Sequence, residues 1–198
     1  MQVRLDKRAR IIADGGQAYP VDLLRDHTLV QVRQKYTDDT GELTLAPGEE
    51  TTDEVTVGGR VVFVRNTGKL CFASLQDGFT ETSNGERLQI MLSKAEVGDE
   101  SLAAWKSDVD LGDHVWVRGR VVVSRRGELS IMAAEWRMAS KALRPLPTLH
   151  KELSEETRVR RRYADLVVRE ESRQMVRTRA VITRAVRRAL DERGFLEI

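Results

Sequence analysis

The chain is poor in cysteine, histidine and proline and has no long apolar run, and each shortage closes off a class of protein. One cysteine in 198 residues excludes an internal disulfide and any cysteine-based metal framework. That residue, Cys71, sits on the apolar side of an alternating stretch and reads as a small core residue. The three histidines, His27, His114 and His150, lie far apart without ligand spacing, so no metal site is expected. No run of about 18 apolar residues occurs, which excludes a transmembrane helix. The opening MQVRLDKRARIIADGG has no apolar centre and is not a secretory signal. These features imply a reducing, cytoplasmic setting. There is no Gly-rich phosphate loop, no internal repeat and no low-complexity segment. No spacing assigns a catalytic acid, base or nucleophile, so the expected catalytic set within this chain is empty.

Charge of one sign is also lacking: 32% of residues are charged, yet the net charge is +2. The balance is local. Residues 1–54 carry 7 Lys+Arg against 11 Asp+Glu, whereas residues 158–198 carry 12 against 6. The basic end either faces an anionic partner or is a solvated helix face.

What is present is a change of period along the chain. Residues 3–13 form a short amphipathic helix stopped by Gly15-Gly16, and Leu29–Tyr36 a second with Thr28 as N-cap. Thr37–Glu54 is polar and acidic and reads as a loop. From Val55 the pattern alternates. In VTVGGRVVFVRNTGKLCFASLQD, Val57, Gly59, Val61 and Phe63 share one face, Asn66-Thr67-Gly68 supplies a turn, and Cys71, Ala73 and Leu75 continue the apolar side. Further strands are expected at Arg87–Leu92, His114–Ser124 and Glu128–Met138, with a helix at Gly98–Ser107 and Gly58-Gly59 permitting a bend. Five strands with a helix between the third and fourth match the order of an OB-fold. The fold class is therefore β-rich α+β, a five-stranded OB barrel with N-terminal helices and a C-terminal helical segment. Pro145 and Pro147 mark a boundary. Beyond them, Ser154 caps a helix through Thr157–Leu166, and a longer helix over Glu171–Arg193 carries Met175, Thr178, Ile182, Val186 and Ala189 on one stripe. Phe195–Ile198 looks like the start of a strand, which reads as truncation, and residues 172–198 are expected to be poorly anchored and to self-associate.

Alternation places Arg60, Phe72, Gln89 and Glu128 on the side opposite the aliphatic residues. Phe72 can stack on a nucleobase, worth roughly 1–3 kcal/mol per base. Gln89 offers a donor and an acceptor to a base edge. Arg60 can bind phosphate or stack, and Glu128 can accept from base N–H groups. A solvated face is the plainer reading of any one of them; the four together on an OB-type face favour single-stranded nucleic-acid binding.

GRVVFVRNTGKLCFASLQDG, RLQIML, DLGDHVWVRGRV, RRGELSIMAAEW, KALRPLP and TRVRRRYADLVV, in that order, resemble bacterial class II lysyl-tRNA synthetases, and RTRAVITRAVRRALDERGFLEI resembles the opening of that family's motif 1. The resemblance covers essentially the whole chain. It implies a helical extension and acidic loop at 1–54, an anticodon-binding OB-fold at 55–143, a linker at 144–157 and an incomplete catalytic domain at 158–198. It also maps the anticodon-facing positions onto Arg60, Phe72, Gln89 and Glu128. Met91 departs from the aromatic more usual after the glutamine. ATP and Mg2+ are implied for the full-length enzyme, which joins lysine to its tRNA through lysyl-adenylate, and so is a homodimer through the motif 1 helix. Motifs 2 and 3 do not occur in these residues, so this chain alone is expected not to activate lysine. A non-catalytic RNA-binding module of the same descent, or a structural paralogue with an idle OB face, are the alternatives.

Overall fold

The structure is a computed structural model and describes residues 1–78, 85–147 and 153–198. The elements are α1 (Gln2–Ala13), α2 (Leu29–Lys35), β1 (Glu50–Thr67), β2 (Leu70–Gln76), β3 (Arg87–Ser93), α3 (Lys94–Val97), α4 (Asp99–Asp108), β4 (His114–Val123), β5 (Leu129–Ser140), α5 (Glu155–Arg160), α6 (Arg162–Val168) and α7 (Glu170–Asp191). They form two compact units, one of residues 1–78 and 85–145, the other holding the described residues from 146 onward.

In the first unit the strands close on themselves in the order β1-β2-β3-β5-β4. All neighbours are antiparallel except β3 and β5, which run parallel through Gln89↔Ser130, Ile90↔Ile131 and Met91↔Met132. The expected OB arrangement is therefore present. Its core follows from the alternation: Val55, Val57, Val61, Cys71, Ala73, Leu75, Leu88, Ile90 and Leu92 are buried, joined by Val115, Val117, Val121, Leu129 and Ile131. Cys71 is fully buried, and burial pushes its thiol above the ordinary range, as suits a core residue. Leu102 and Trp105 of α4 enter the same core. So do Leu29 and Val32 of α2, each worth roughly 1.5–3 kcal/mol when buried.

The Thr28 cap of α2 is a full capping box: Thr28 Oγ1 accepts from Gln31 N at 3.1 Å and Gln31 Oε1 from Thr28 N at 2.8 Å. Two glycines are dictated by close approach. A Cβ at Gly59 would stand 3.0 Å from Leu75 Cβ and 3.4 Å from Leu29 Cδ1, so this glycine lets α2 and β2 close on β1. A Cβ at Gly119 would meet Met132 O at 2.0 Å, where the β4–β5 register shifts.

A buried ionic cluster ties α1 to the barrel. Lys141, fully buried, donates from Nζ to Asp113 Oδ2, Asp110 Oδ2 and Asp108 O, each at 2.6 Å. Lys7 pairs with the other oxygen of Asp110 at 2.8 Å, Arg4 donates to Ala142 O and Leu111 O, and Arg10 pairs with Asp108.

Several expectations need correction. β1 begins at Glu50, not Val55, because Glu50 pairs with Val122 in register and with Arg120 as an ion pair at 3.0 Å. The β1–β2 turn is Gly68-Lys69, since Thr67 faces Leu70. A bulge between Val61 and Phe63 inverts the alternation, so Phe63 points out at 54% exposure while Val64 packs on the core. Phe195–Ile198 forms no strand.

In the second unit the Ser154 cap is present, its Oγ accepting from Thr157 N. The expected helix over 157–166 breaks at Arg161, whose φ −120°, ψ 51° divides α5 from α6. Asp165 is fully buried and accepts from Arg162, Arg169 and Ser172 Oγ, the last at 2.6 Å, joining α6 to the start of α7. Along α7, Met175, Ile182, Val186 and Leu190 are exposed. No helix of the described residues is long and apolar enough to cross a membrane.

Candidate nucleic-acid interface

Strand pairing arranges the outward side chains of β1, β2, β3 and β5 in two adjacent rows. One row runs Arg65, Phe72, Met91, Met132 across the four strands; the next runs Phe63, Ser74, Gln89, Ser130. In the first row the Arg65 guanidinium lies over the Phe72 ring, 4.8 Å from its centroid. In the second, Gln89 Nε2 donates to Ser130 Oγ at 2.8 Å, and that hydroxyl donates to Glu128 O at 2.9 Å. With its nitrogen held, the Gln89 amide offers its carbonyl oxygen as the acceptor for a base edge. Glu128 lies just before β5, two residues ahead of Ser130, with its side chain 55% exposed. Arg33 of α2 reaches the same corner, pairing with Glu86 at 2.6 Å, lying 3.9 Å from Glu128, and donating to Arg87 O.

Phe72 and Gln89 are thus diagonal neighbours; Glu128 lies two residues ahead of Gln89's partner Ser130, four along from Phe72's row, and Arg60 also stands apart from Phe72. It faces Gln76 on one side and His114 on the other, four residues along β2 from Phe72, or roughly 13 Å at strand rise. Its guanidinium is half-buried and donates to Gly112 O at 3.0 Å. Burial pushes Arg60 below the usual guanidinium range. The neighbouring imidazole of His114 is pushed down to about 4, by burial first and by the charge of Arg60 second, against an opposing pull from Asp113.

Sequence reasoning missed four residues of this surface. Arg65 was hidden by the misplaced turn; with Gly68-Lys69 at the tip, simple counting sets it opposite Phe72. Phe63 was hidden by the bulge, for which the sequence carries no marker residue. Ser130 is outward yet fully buried beneath Gln89 and Glu128, and Arg33 arrives from a distant helix. The surface therefore offers stacking faces, an amide anchored for edge recognition, a carboxylate and two arginines. Among the described residues Arg65 makes no ion pair, which leaves its charge available to phosphate. No group of three or more His, Cys, Asp or Glu among the described residues is placed to hold a metal ion, and His150 lies outside them.

Comparison with known proteins bears on the same residues. Residues 55–139, which contain both rows, match the OB-fold nucleic acid binding domain, and residues 154–198 match the class II tRNA synthetases (D, K and N). Over all 198 residues the chain is 59% identical to a lysine--tRNA ligase of Kineococcus radiotolerans. Over 197 residues it is 56% identical to that of Mycolicibacterium gilvum and 54% identical to that of Mycobacterium tuberculosis. It spans 37% of the length of each of these relatives.

Proposed function

We propose that the chain belongs to the lysine--tRNA ligase family within the class II synthetases and that its barrel reads the anticodon of a lysine tRNA through Phe72, Gln89 and Glu128, with Arg60 a flanking contact. The observation that carries this reading is the Gln89 amide, its nitrogen held by Ser130 Oγ, one row away from a stackable aromatic. A uridine-rich anticodon presents ring faces and both donor and acceptor edges, and RNA loops are read by stacking plus edge hydrogen bonds. Phe72 supplies the first; Gln89 and Glu128 supply the second.

The full-length protein would activate lysine with ATP and Mg2+ as lysyl-adenylate and pass it to the tRNA, in the cytoplasm. Motifs 2 and 3, to which the family resemblance assigns that chemistry, do not occur in this sequence. The exposed apolar stripe of α7 supports a homodimer through that helix. The reading divides the chain into the extension 1–54, the OB domain 55–143, the linker 144–157 and the start of the catalytic domain.

The test is a titration of the anticodon stem-loop of lysine tRNA with wild type and Phe72→Ala. Loss of one stacked base weakens binding by about tenfold or more with the fold intact. Equal affinities refute the site. Lysine-dependent pyrophosphate exchange by these residues alone would contradict the catalytic silence.

A further inference from the structure

We propose that Phe63 is a second base-stacking residue, so that the barrel face receives two successive bases of the RNA, one on Phe72 and the next on Phe63. The inference rests on the anticodon-reading role of this face.

Three observations converge on Phe63. First, its exposure is produced by a distortion. The bulge places Val62 as the extra residue between Val61↔Leu75 and Phe63↔Ser74, which turns a ring that strict alternation would bury out to 54% exposure. Covering that ring would remove apolar surface from water. Second, its position is next to the site. Phe63 lies opposite Ser74, which lies opposite Gln89, while Phe72 is two residues from Ser74 on the same strand face. Phe63 and Phe72 are therefore diagonal neighbours on antiparallel strands, roughly 7–8 Å apart at Cα, a spacing that successive splayed bases can bridge. Third, the surroundings select the occupant. Arg65, two residues along β1 on the same face, is exposed and free of ion pairs among the described residues, so positive charge flanks the aromatic pair. A positive groove with aromatic faces fits the backbone and bases of a single strand. An apolar protein partner would not need the unpaired arginine. Among the described residues β1 pairs in register with β4 only as far as Arg60↔His114.

The experiment uses the full chain and the anticodon stem-loop of lysine tRNA, titrated by fluorescence anisotropy at several salt concentrations. Variants are Phe63→Ala, Phe63→Trp and, as the control on the underlying reading, Phe72→Ala. The expected results are a loss of about fivefold or more for Phe63→Ala, retained or tighter binding for Phe63→Trp, and an unchanged salt slope, because stacking releases no counterion. The thermal midpoint of Phe63→Ala should match wild type, since the ring is exposed. If Phe72→Ala weakens binding and Phe63→Ala does not, the second platform is refuted while the first stands. If neither variant weakens binding, the reading of the face itself has failed. Loss of self-association in Phe63→Ala with RNA affinity unchanged would make the ring a protein contact and would also overturn the proposal.

Discussion

Replacing Lys141 with methionine tests the most demanding electrostatic arrangement in the barrel unit. Lys141 is fully buried and its ammonium is shared between two carboxylates and the carbonyl of Asp108. The two acids would fare differently without it. Asp110 keeps Lys7 at 2.8 Å; burial pushes its pKa up, but the hydrogen bonds from Lys141 and Lys7 outweigh this and hold it below the usual range. Asp113 is fully buried, and Lys141 is its only described ion-pair partner. It would retain only the backbone donors Asp110 N and Ala142 N, both at 2.8 Å. Leaving one charge of a buried pair without its partner costs about 3–5 kcal/mol. The two backbone donors favour the lower half of that range, about 3–4 kcal/mol, or a fall in Tm of roughly 10 °C. The assay is urea unfolding followed by tryptophan fluorescence; Trp105, Trp116 and Trp136 all belong to the barrel unit, so the signal reports that unit alone. Lys141→Met combined with Asp113→Asn should recover part of the loss, because the stranded charge is removed. A loss below about 1 kcal/mol for the single variant would refute the view that this cluster is tightly coupled.

The remaining predictions concern pH and self-association. His114 has a folded pKa of about 4 against an ordinary value of 6.5, so between these values the unfolded chain takes up a proton that the native imidazole refuses. Stability from this group is complete above about pH 6.5 and is lost as pH falls toward 4, by about 1–2 kcal/mol between pH 7 and 5; His114→Gln should remove that part of the pH dependence in the same urea assay, and an unchanged profile would show that His114 is not its source. In α7, Ile182 is 58% exposed on the apolar stripe. Sedimentation velocity should show a self-associating species that Ile182→Arg abolishes, and a wild-type chain that stays monomeric at tens of micromolar would refute dimerisation through this helix.

Much of the architecture was legible because period and punctuation are local. Thr28 with Gln31, Ser154 with Thr157 and the alternation from Val55 onward each announce an element within a few residues of chain. The same alternation identified Phe72 and Gln89 as companions on the outward face, and it held there because β2 and β3 pair without a register shift. It failed on β1. One inserted residue at Val62 reverses every later side chain on a strand of period two, so Phe63 moved from core to surface. Arg60, correctly placed on the outward side, was carried away from Phe72 because distance along a strand is not visible in face alone.

Local pattern was enough for the five strands, the helix between the third and fourth, most of the barrel core, and the outward facing of Phe72 and Gln89. Which distant groups complete the charged clusters depends on the packed fold. Arg33 comes to Glu128 from a helix outside the barrel strands, and Lys141, just after β5, meets Asp110 and Asp113, just before β4. These contacts join residues far apart in the chain. Nothing in the neighbourhood of any one of them encodes its partner, so it takes the pairing of β4 with β5 and the docking of α2 to bring each charge to its counter-charge.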